Sequence, residues 1–357
     1  MTEKELLQHR LHNLDINAPR FKKTEQMAAW LGGIQAQDYG QAKWAIGSRI
    51  PGSTNESIDK AISSQTIVRT WMMRGTIHVV SPDDIQWLTD LLAPRIIARN
   101  KTRYRQLELN EKTLDKANDI LGKALDSGDA VTRTGISEIL KDKKIIATGV
   151  RLAHILQYAC LKNTICFSAK QGKDFSFTKL KPSKKSSFSR EQALAELATR
   201  YFSSHGPASV KDFIWWSGLA PEEARKGMES IKSRLEKFDA TGDTYFTDKD
   251  VKPYSKPDHR VHLLAGFDEY IVGYTNRSVG MEQKHISHVI RNNGIFYPTV
   301  ILDGFVKGIW KPVVKKDSLH IEIQRFSTFS KSMEKDVKLA ASRYADFVGK
   351  KLSESGF

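Results

Sequence analysis

Three places in the sequence hold residue types whose spacing could do chemistry. In GFDEY, Asp268 and Glu269 are neighbouring acids in an apolar run. They could move a proton, or one could cap a turn while the other pairs with a nearby arginine. His285 and His288 stand three apart and could share a helix face, but no carboxylate or cysteine companion completes a metal set. Gln35 and Gln37 flank Ala36 in GGIQAQD. On a helix, residues two apart point about 200° away from each other. After a Gly-Gly stop the chain is expected to be extended, and alternate residues then share a face. Gln35 and Gln37 would point to one side, with Ile34 and Ala36 toward the core. Paired amides beside a helix end also serve as turn-stabilising groups, and residue physics alone does not lift this pair above that role.

Familiar catalytic signatures are absent: there is no GxSxG, HExxH or P-loop, and no GxGxxG opening a helix. The two cysteines, Cys160 and Cys166, lie too far apart for a CxxC pair, and no second pair completes a zinc site. Both are expected in the core, and neither a cofactor nor a metal is expected. The chain has 357 residues, 40% hydrophobic and 27% charged, which suits two to four folded domains. Its 56 Lys+Arg against 41 Asp+Glu give a formal charge of +15. Such an excess suits a polyanionic partner, because each cation set against a phosphate releases condensed counterions. No stretch reaches the ~18 uninterrupted apolar residues of a spanning helix, so no membrane association is expected. The N-terminus, MTEKELLQHRLHNLD, is acidic early and has no apolar signal region. A cytoplasmic, reduced setting is expected.

The elements that would position these residues fall into a repeating order. Residues 1–105 read as a helix opened by Thr24 and stopped by Gly32-Gly33, a helix after Ser53 and a hairpin over Val68–Val80 that breaks at Arg74-Gly75. A further helix follows Asp83-Asp84 to about Arg99. Residues 106–187 read as a helix over Glu111–Leu125, a short helix from Thr134, a longer one over Thr148–Leu161, and paired strands Thr164–Ser168 and Phe175–Thr178. Residues 188–256 repeat that order, with helices starting at Ser189, Ser209 and Pro221 and strands Phe238–Ala240 and Thr244–Phe246. Helix, short helix, longer helix and hairpin are the parts of a winged helix. The turns DSGDAVTRTGISEIL and SSHGPASVKDFIWWSGL share one design, a glycine turn and a hydroxyl cap before a short apolar helix. Lys179–Ser187 reads as a basic linker or wing tip. From about Pro257, residues 257–357 turn strand-like in HLLAGFDEYIVGY, YPTVILDGFVKGIWKPVV and LHIEIQRF. Asp303-Gly304 and Asn292-Asn293-Gly294 are candidate turns, and a last amphipathic helix covers Ser332–Val348. The expected fold class is α+β: three tandem winged-helix domains followed by a small β-barrel or sheet domain with a C-terminal helix.

Over nearly its whole length the chain resembles the winged-helix DNA glycosylases of the AlkZ type. The markers are GGIQAQD at Gly32–Asp38, RTWMMRGTIHVVSPDD at Arg69–Asp84, LLAGFDEYIVGYTNRS at Leu263–Ser278 and FYPTVILDGFVKGIW at Phe296–Trp310. The resemblance implies that a Gln–apolar–Gln triplet is the catalytic motif, and Gln35-Ala36-Gln37 matches it intact. A sister branch carries Asp in place of the second Gln, a form this sequence lacks. The resemblance further implies excision of alkylated purines and, in some members, unhooking of interstrand crosslinks. Glutamine cannot remove a proton outright near neutral pH, so its roles would be to position water and to stabilise charge. The expected partner is double-stranded, alkylated DNA bound by a monomer, which would place the protein on the nucleoid. A monofunctional enzyme is expected, because no motif supports a lysine nucleophile.

The grip on DNA is less sharply marked. Arg69 and Arg74 flank the first hairpin, and Arg277 and Arg291 lie near the later turns. Arg95, Arg99, Lys101, Arg103 and Arg105 form the densest basic run but would not share one helix face. In RNNGIF (Arg291–Phe296), Ile295 or Phe296 could wedge into a groove, although a buried strand also suits Phe296. Two other functions fit the elements. A non-enzymatic winged-helix transcriptional regulator would bind a specific site and usually dimerise; a structured-RNA binder would prefer RNA to duplex DNA.

Overall fold

A computed structural model describes residues 1–181, 188–251 and 260–353. Pro257, the domain limits expected at 187 and 256, and most of the expected basic linker at 179–187 lie outside the described residues. The fold is mixed α+β, and the chain divides into two compact units, one of residues 59–193 and one of residues 1–58 with 194–357.

In the unit of residues 59–193, apolar β-branched runs form the Val68–Trp71 and Ile77–Val80 strands, paired antiparallel from Val68↔Val80 to Trp71↔Ile77. The connection is the tight Met73–Gly75 turn, with Arg74 at φ 58, so the hairpin breaks where Arg74-Gly75 predicts. Helices Glu111–Ala124, Arg133–Asp142 and Gly149–Leu161 follow, the first two capped by the side chains of Asn110 and Thr132. Their apolar faces meet around Leu114, Leu121, Ile136 and Leu156, all 2% exposed or less. Strands Ile165–Phe167 and Ser176–Lys179 pair antiparallel. The two hairpins, expected as separate wings, join through Arg69↔Phe167. The unit's strands therefore line up as Ile77–Val80, Val68–Trp71, Ile165–Phe167, Ser176–Lys179 and Val131–Thr132. Cys160 and Cys166 are buried core residues. Helix Ile85–Gln106 runs seven residues beyond the expected end at Arg99 and carries Pro94 within it.

The other unit opens with helix Glu3–Asn13, set by a Thr2–Glu5 capping box, and helix Thr24–Leu31. Thr24 is this helix's first residue and not its cap, since Lys23 occupies the cap position with no side-chain bond. Gly32, at φ 70, ends the helix as expected; an added Cβ there would lie 3.2 Å from the Trp216 ring. Helix Tyr39–Gly47 follows. Helices Arg190–Ser204, Val210–Ser217 and Pro221–Ser230 and the hairpin Leu235–Ala240/Asp243–Asp248 match the expected order, with a Ser209–Asp212 capping box and Pro221 at the first helical turn. Near the C-terminus a five-stranded sheet curls into a half-barrel. Its order is Lys351–Leu352, Ser318–Arg325, Phe305–Val314, Thr299–Leu302, Val261–Leu264. Asp303 and Gly304, at φ 48 and 95, make the expected turn. Helix Lys331–Val348 packs on this sheet through Tyr344, whose ring centroid lies 4.9 Å from that of Trp310.

A further expectation fails. GFDEYIVGY is expected as strand, but after Leu264 the chain leaves the sheet and forms a short helix, Glu269–Val272. Asp268 causes the change: its carboxylate accepts the Tyr270 N–H at 3.0 Å, a capping bond that competes with a ladder. Close backbone approach constrains the sheet at Gly308, where an added Cβ would lie 2.6 Å from the Gln324 carbonyl oxygen. Gly308→Ala is expected to destabilise the protein by about 1–3 kcal/mol, read as a lower midpoint in urea unfolding; an unchanged midpoint would show that the strand yields freely.

Candidate active site

Gly32 and Gly33 turn the chain out of helix Thr24–Leu31 into the two-residue strand Ile34–Gln35. Ile34 and Ala36 are buried, at 1% and 0% exposure, as the alternation predicts. The same alternation does not hold for the glutamines: Gln35 is buried at 7% exposure, while Gln37 is exposed. The strand ends at Gln35, because Asp38 already caps helix Tyr39–Gly47 by accepting the Gln41 N–H at 3.0 Å. The regular pleat therefore does not extend as far as Gln37.

The segment is held by the loop that carries Asp268 and Glu269. The Gln35 backbone N–H donates to Glu269 Oε1 at 2.8 Å, across 234 residues of sequence. Four residues after Gln37, the Gln41 side chain accepts the Gly266 N–H at 2.9 Å. Within the same loop Phe267 sits at φ 61, the left-handed region that a bulky side chain rarely adopts. Strain of this kind persists only when the surroundings over-determine it.

Those surroundings are polar and buried. Arg49 and Asp268, 1% and 0% exposed, form a bidentate pair with N–O distances of 2.9 and 2.8 Å. Arg49 also donates to the carbonyls of Leu14 and Ala45 at 2.8 and 2.7 Å. Burial alone would lower the Arg49 guanidinium, but Asp268 beside it more than offsets that and holds it above its ordinary value. Glu269, 1% exposed, accepts on Oε2 from the Trp216 indole at 2.9 Å and lies 3.3 Å from His205 Nε2. Burial pushes His205 below its ordinary 6.5, against the pull of Glu269. The Ser204 hydroxyl, which donates to the Arg200 carbonyl at 2.6 Å, lies 2.8 Å from His205 Nδ1. Sequence reasoning offered a cap and an arginine partner for these two acids, one duty each. In the fold Asp268 performs both, and Glu269 is freed to hold the glutamine segment.

The basic candidates fare unequally. Arg277 donates to the Ile271 carbonyl and lies between two rings, 6.0 Å from the centroid of Trp215 and 5.4 Å from that of Phe296. Trp215 is 44% exposed. Arg291 is exposed over Tyr297, at the base of a turn closed by the Arg291 N–H to the Ile295 carbonyl. Ile295, across the same base from Arg291, is 40% exposed, and Phe296 is half-buried against Phe267. Arg74 is half-buried at the tip of its hairpin in the unit of residues 59–193. Arg69 requires a correction as a DNA contact: it is 0% exposed, with its guanidinium 4.2 and 4.8 Å from the Phe167 and Phe175 ring centroids. A phosphate could not reach it without opening that core. Of the basic run, Arg99, Lys101, Arg103 and Arg105 are exposed and Arg95 is half-buried. His285 stacks on Phe326 at 4.1 Å, and His288 lies 5.8 Å from the same ring.

The chain belongs to the AlkZ-like family: the model described as "DNA glycosylase AlkZ-like" matches residues 28–347. It is similar to an interstrand DNA cross-link repair glycosylase of Streptomyces sahachiroi, 24% identical over 299 residues, or 79% of this chain and 80% of that protein. The solved structure of Streptomyces sahachiroi DNA glycosylase AlkZ shares the fold, with a TM-score of 0.79 at 21% identity over 99% of each chain.

Two outcomes follow from the buried charges. Asp268→Asn leaves Arg49 buried without its counter-charge and is expected to cost about 3–5 kcal/mol of stability, measured by denaturant unfolding; a loss below about 1 kcal/mol would contradict the burial. His205 has a depressed folded value, so between that value and 6.5 the unfolded chain binds more protons. Its contribution is therefore present above 6.5 and is lost as pH falls through the folded value. His205→Asn should flatten part of the fall in melting temperature between about pH 7 and 5, and an unaltered slope would remove His205 from the account.

Proposed function

We propose that the chain is a DNA glycosylase that releases cationic N7-alkylated purines from duplex DNA and leaves an abasic site, with Gln35 and Gln37 positioning the attacking water. The observation that carries this reading is the intact Gln35-Ala36-Gln37 triplet, its backbone tied to a buried carboxylate, in a chain of the AlkZ-like family. Alkylation at N7 places a positive charge on the purine, so the base leaves with little protonation. What remains is to set a water below the anomeric carbon and to accommodate an oxocarbenium-like transition state. A carboxamide suits that task, because it orients water through donor and acceptor without being a strong base. Undamaged bases are neutral leaving groups that would need real acid catalysis, and a site built on amides rejects them. The relative's name as an interstrand DNA cross-link repair glycosylase supports bulky N7 adducts and crosslinks as further substrates.

The wider reading completes the proposal. Three tandem winged-helix units spanning 1–105, 106–187 and 188–256, followed by the 257–357 sheet domain, would grip the duplex as a monomer in the cytoplasm. Among the described residues no helix is long and apolar enough to cross a membrane. Arg74, Arg277 and Arg291 are the proposed phosphate contacts, and Arg69 is left out of that set because it is buried. The exposed Ile295 that closes the RNNGI turn is the proposed wedge.

Single-turnover incubation with a duplex containing one 7-methylguanine, followed by alkali to reveal abasic sites, tests the reading. Gln35→Ala and Gln37→Ala should each slow release by roughly 100-fold or more while duplex binding persists. Release at the wild-type rate in both variants would return the glutamines to a structural role. Covalent trapping by borohydride would overturn the monofunctional assignment. For the grip, Arg291→Ala should lower the slope of log affinity against log salt by about 1 without sequence preference; an unchanged slope would remove Arg291 from the surface.

A further inference from the structure

We propose that Glu269 is the positioning residue of the glutamine segment, its carboxylate fixing the Ile34–Gln35 peptide and so the direction in which the Gln35 side chain leaves the backbone. The inference rests on the glycosylase reading above and assigns how that same site is held in register.

A carboxylate with 1% exposure has lost its water and persists only where donors replace it. Among the described residues, Trp216, His205 and Gln35 set polar groups against Glu269. The Trp216 indole and His205 Nε2 address Oε2, at 2.9 and 3.3 Å, and come from one stretch of the chain, the end of helix Arg190–Ser204 and helix Val210–Ser217. They orient the acid. Oε1 is turned toward Gln35 and accepts its backbone N–H at 2.8 Å. That bond is charge-assisted and fixes the plane of the Ile34–Gln35 peptide, which sets the direction of the Gln35 Cα–Cβ bond. A two-residue strand has too little ladder to do this alone. The Gln41–Gly266 bond ties the segment to the same loop beyond Gln37, so its two ends are held by residues three apart in sequence, Gly266 and Glu269. Water positioning of the proposed kind is sensitive to displacements of about 1 Å, which can cost 100-fold in rate. Glu269 thus acts through Gln35 and need not touch the substrate.

Glu269→Gln keeps the shape and removes the charge. Three quantities are read on the full-length protein: the single-turnover rate of 7-methylguanine release, the Kd for the same duplex, and the ¹H–¹⁵N shift of the Gln35 amide with its hydrogen-exchange rate. The expected result is a rate roughly 10- to 100-fold lower, a Kd within about twofold of wild type, and a Gln35 amide that moves upfield and exchanges faster. A wild-type rate, or an amide resonance that does not move, overturns the proposal while leaving the glycosylase reading intact. Should the variant fail to fold, Trp216→Phe keeps the ring and removes the N–H that orients Oε2. A several-fold slower release at unchanged Kd then supports the proposal, and wild-type release overturns it. If the wild-type protein releases no base from any N7 adduct, the glycosylase reading fails instead, and the amide shift alone decides whether Glu269 holds the segment.

Discussion

Burying two neighbouring carboxylates is expensive, and each must be met by donors that water no longer supplies. Asp268 and Glu269 satisfy that demand by drawing three remote parts of the chain onto one loop. Arg49, bonded to the Ala45 carbonyl, brings the end of helix Tyr39–Gly47 and, through its bond to the Leu14 carbonyl, the end of the first helix. His205 and Trp216 bring the third group of helices, while the Gln35 N–H brings the glutamine segment. Neighbouring bonds reinforce the same loop: Trp44 donates to the Leu263 carbonyl at 2.6 Å, Tyr201 to that of Gly273 at 2.9 Å, and Tyr274 to that of His205 at 2.8 Å. Arg10, buried at 3% exposure, lies 3.6 Å from the Tyr274 ring centroid and donates to the Pro207 carbonyl at 2.9 Å. Each tie is modest alone. Together they fix a strained loop and, through it, a segment too short to fix itself.

Local chemistry made much of this legible in the sequence. Ser209 does cap a helix, Pro221 does open one, and Asp303-Gly304 does turn between strands. These signals act within a few residues and need no knowledge of partners. The failures are of another kind. Arg69 stands in an apolar, β-branched run and reads as a cation on a hairpin rim, but pairing of its strand with Ile165–Phe167 places it against Phe167 and Phe175. GFDEYIVGY has strand composition, and Asp268, held by the remote Arg49, caps the Tyr270 N–H and turns Glu269–Val272 into helix. Gln35 and Gln37 alternate correctly in sequence, but the strand ends at Gln35, so one amide is buried and the other exposed. Glu269 was visible as a suggestive acid, while its partner lay 234 residues away. No periodicity carries such a pairing.

The arrangement also bears on why amides could suffice at the proposed site. A rigid, water-orienting pair does little for a reaction whose leaving group must be protonated, and much for one whose leaving group is already cationic. The structural investment accordingly goes into placement: a buried acid, its indole and imidazole partners, and a glycine-directed turn all converge on the backbone of one glutamine. Substrate choice would then arise from the lability of the damaged base and not from a tuned proton donor.

A double-mutant cycle on single-turnover release of 7-methylguanine, built from Glu269→Gln and Gln35→Ala, tests most directly whether the buried acid acts through the glutamine segment. If it does, adding Glu269→Gln to Gln35→Ala slows release little further, and the coupling energy nearly equals the effect of Glu269→Gln alone. Rate losses that multiply independently would contradict the account and separate the acid loop from the glutamines.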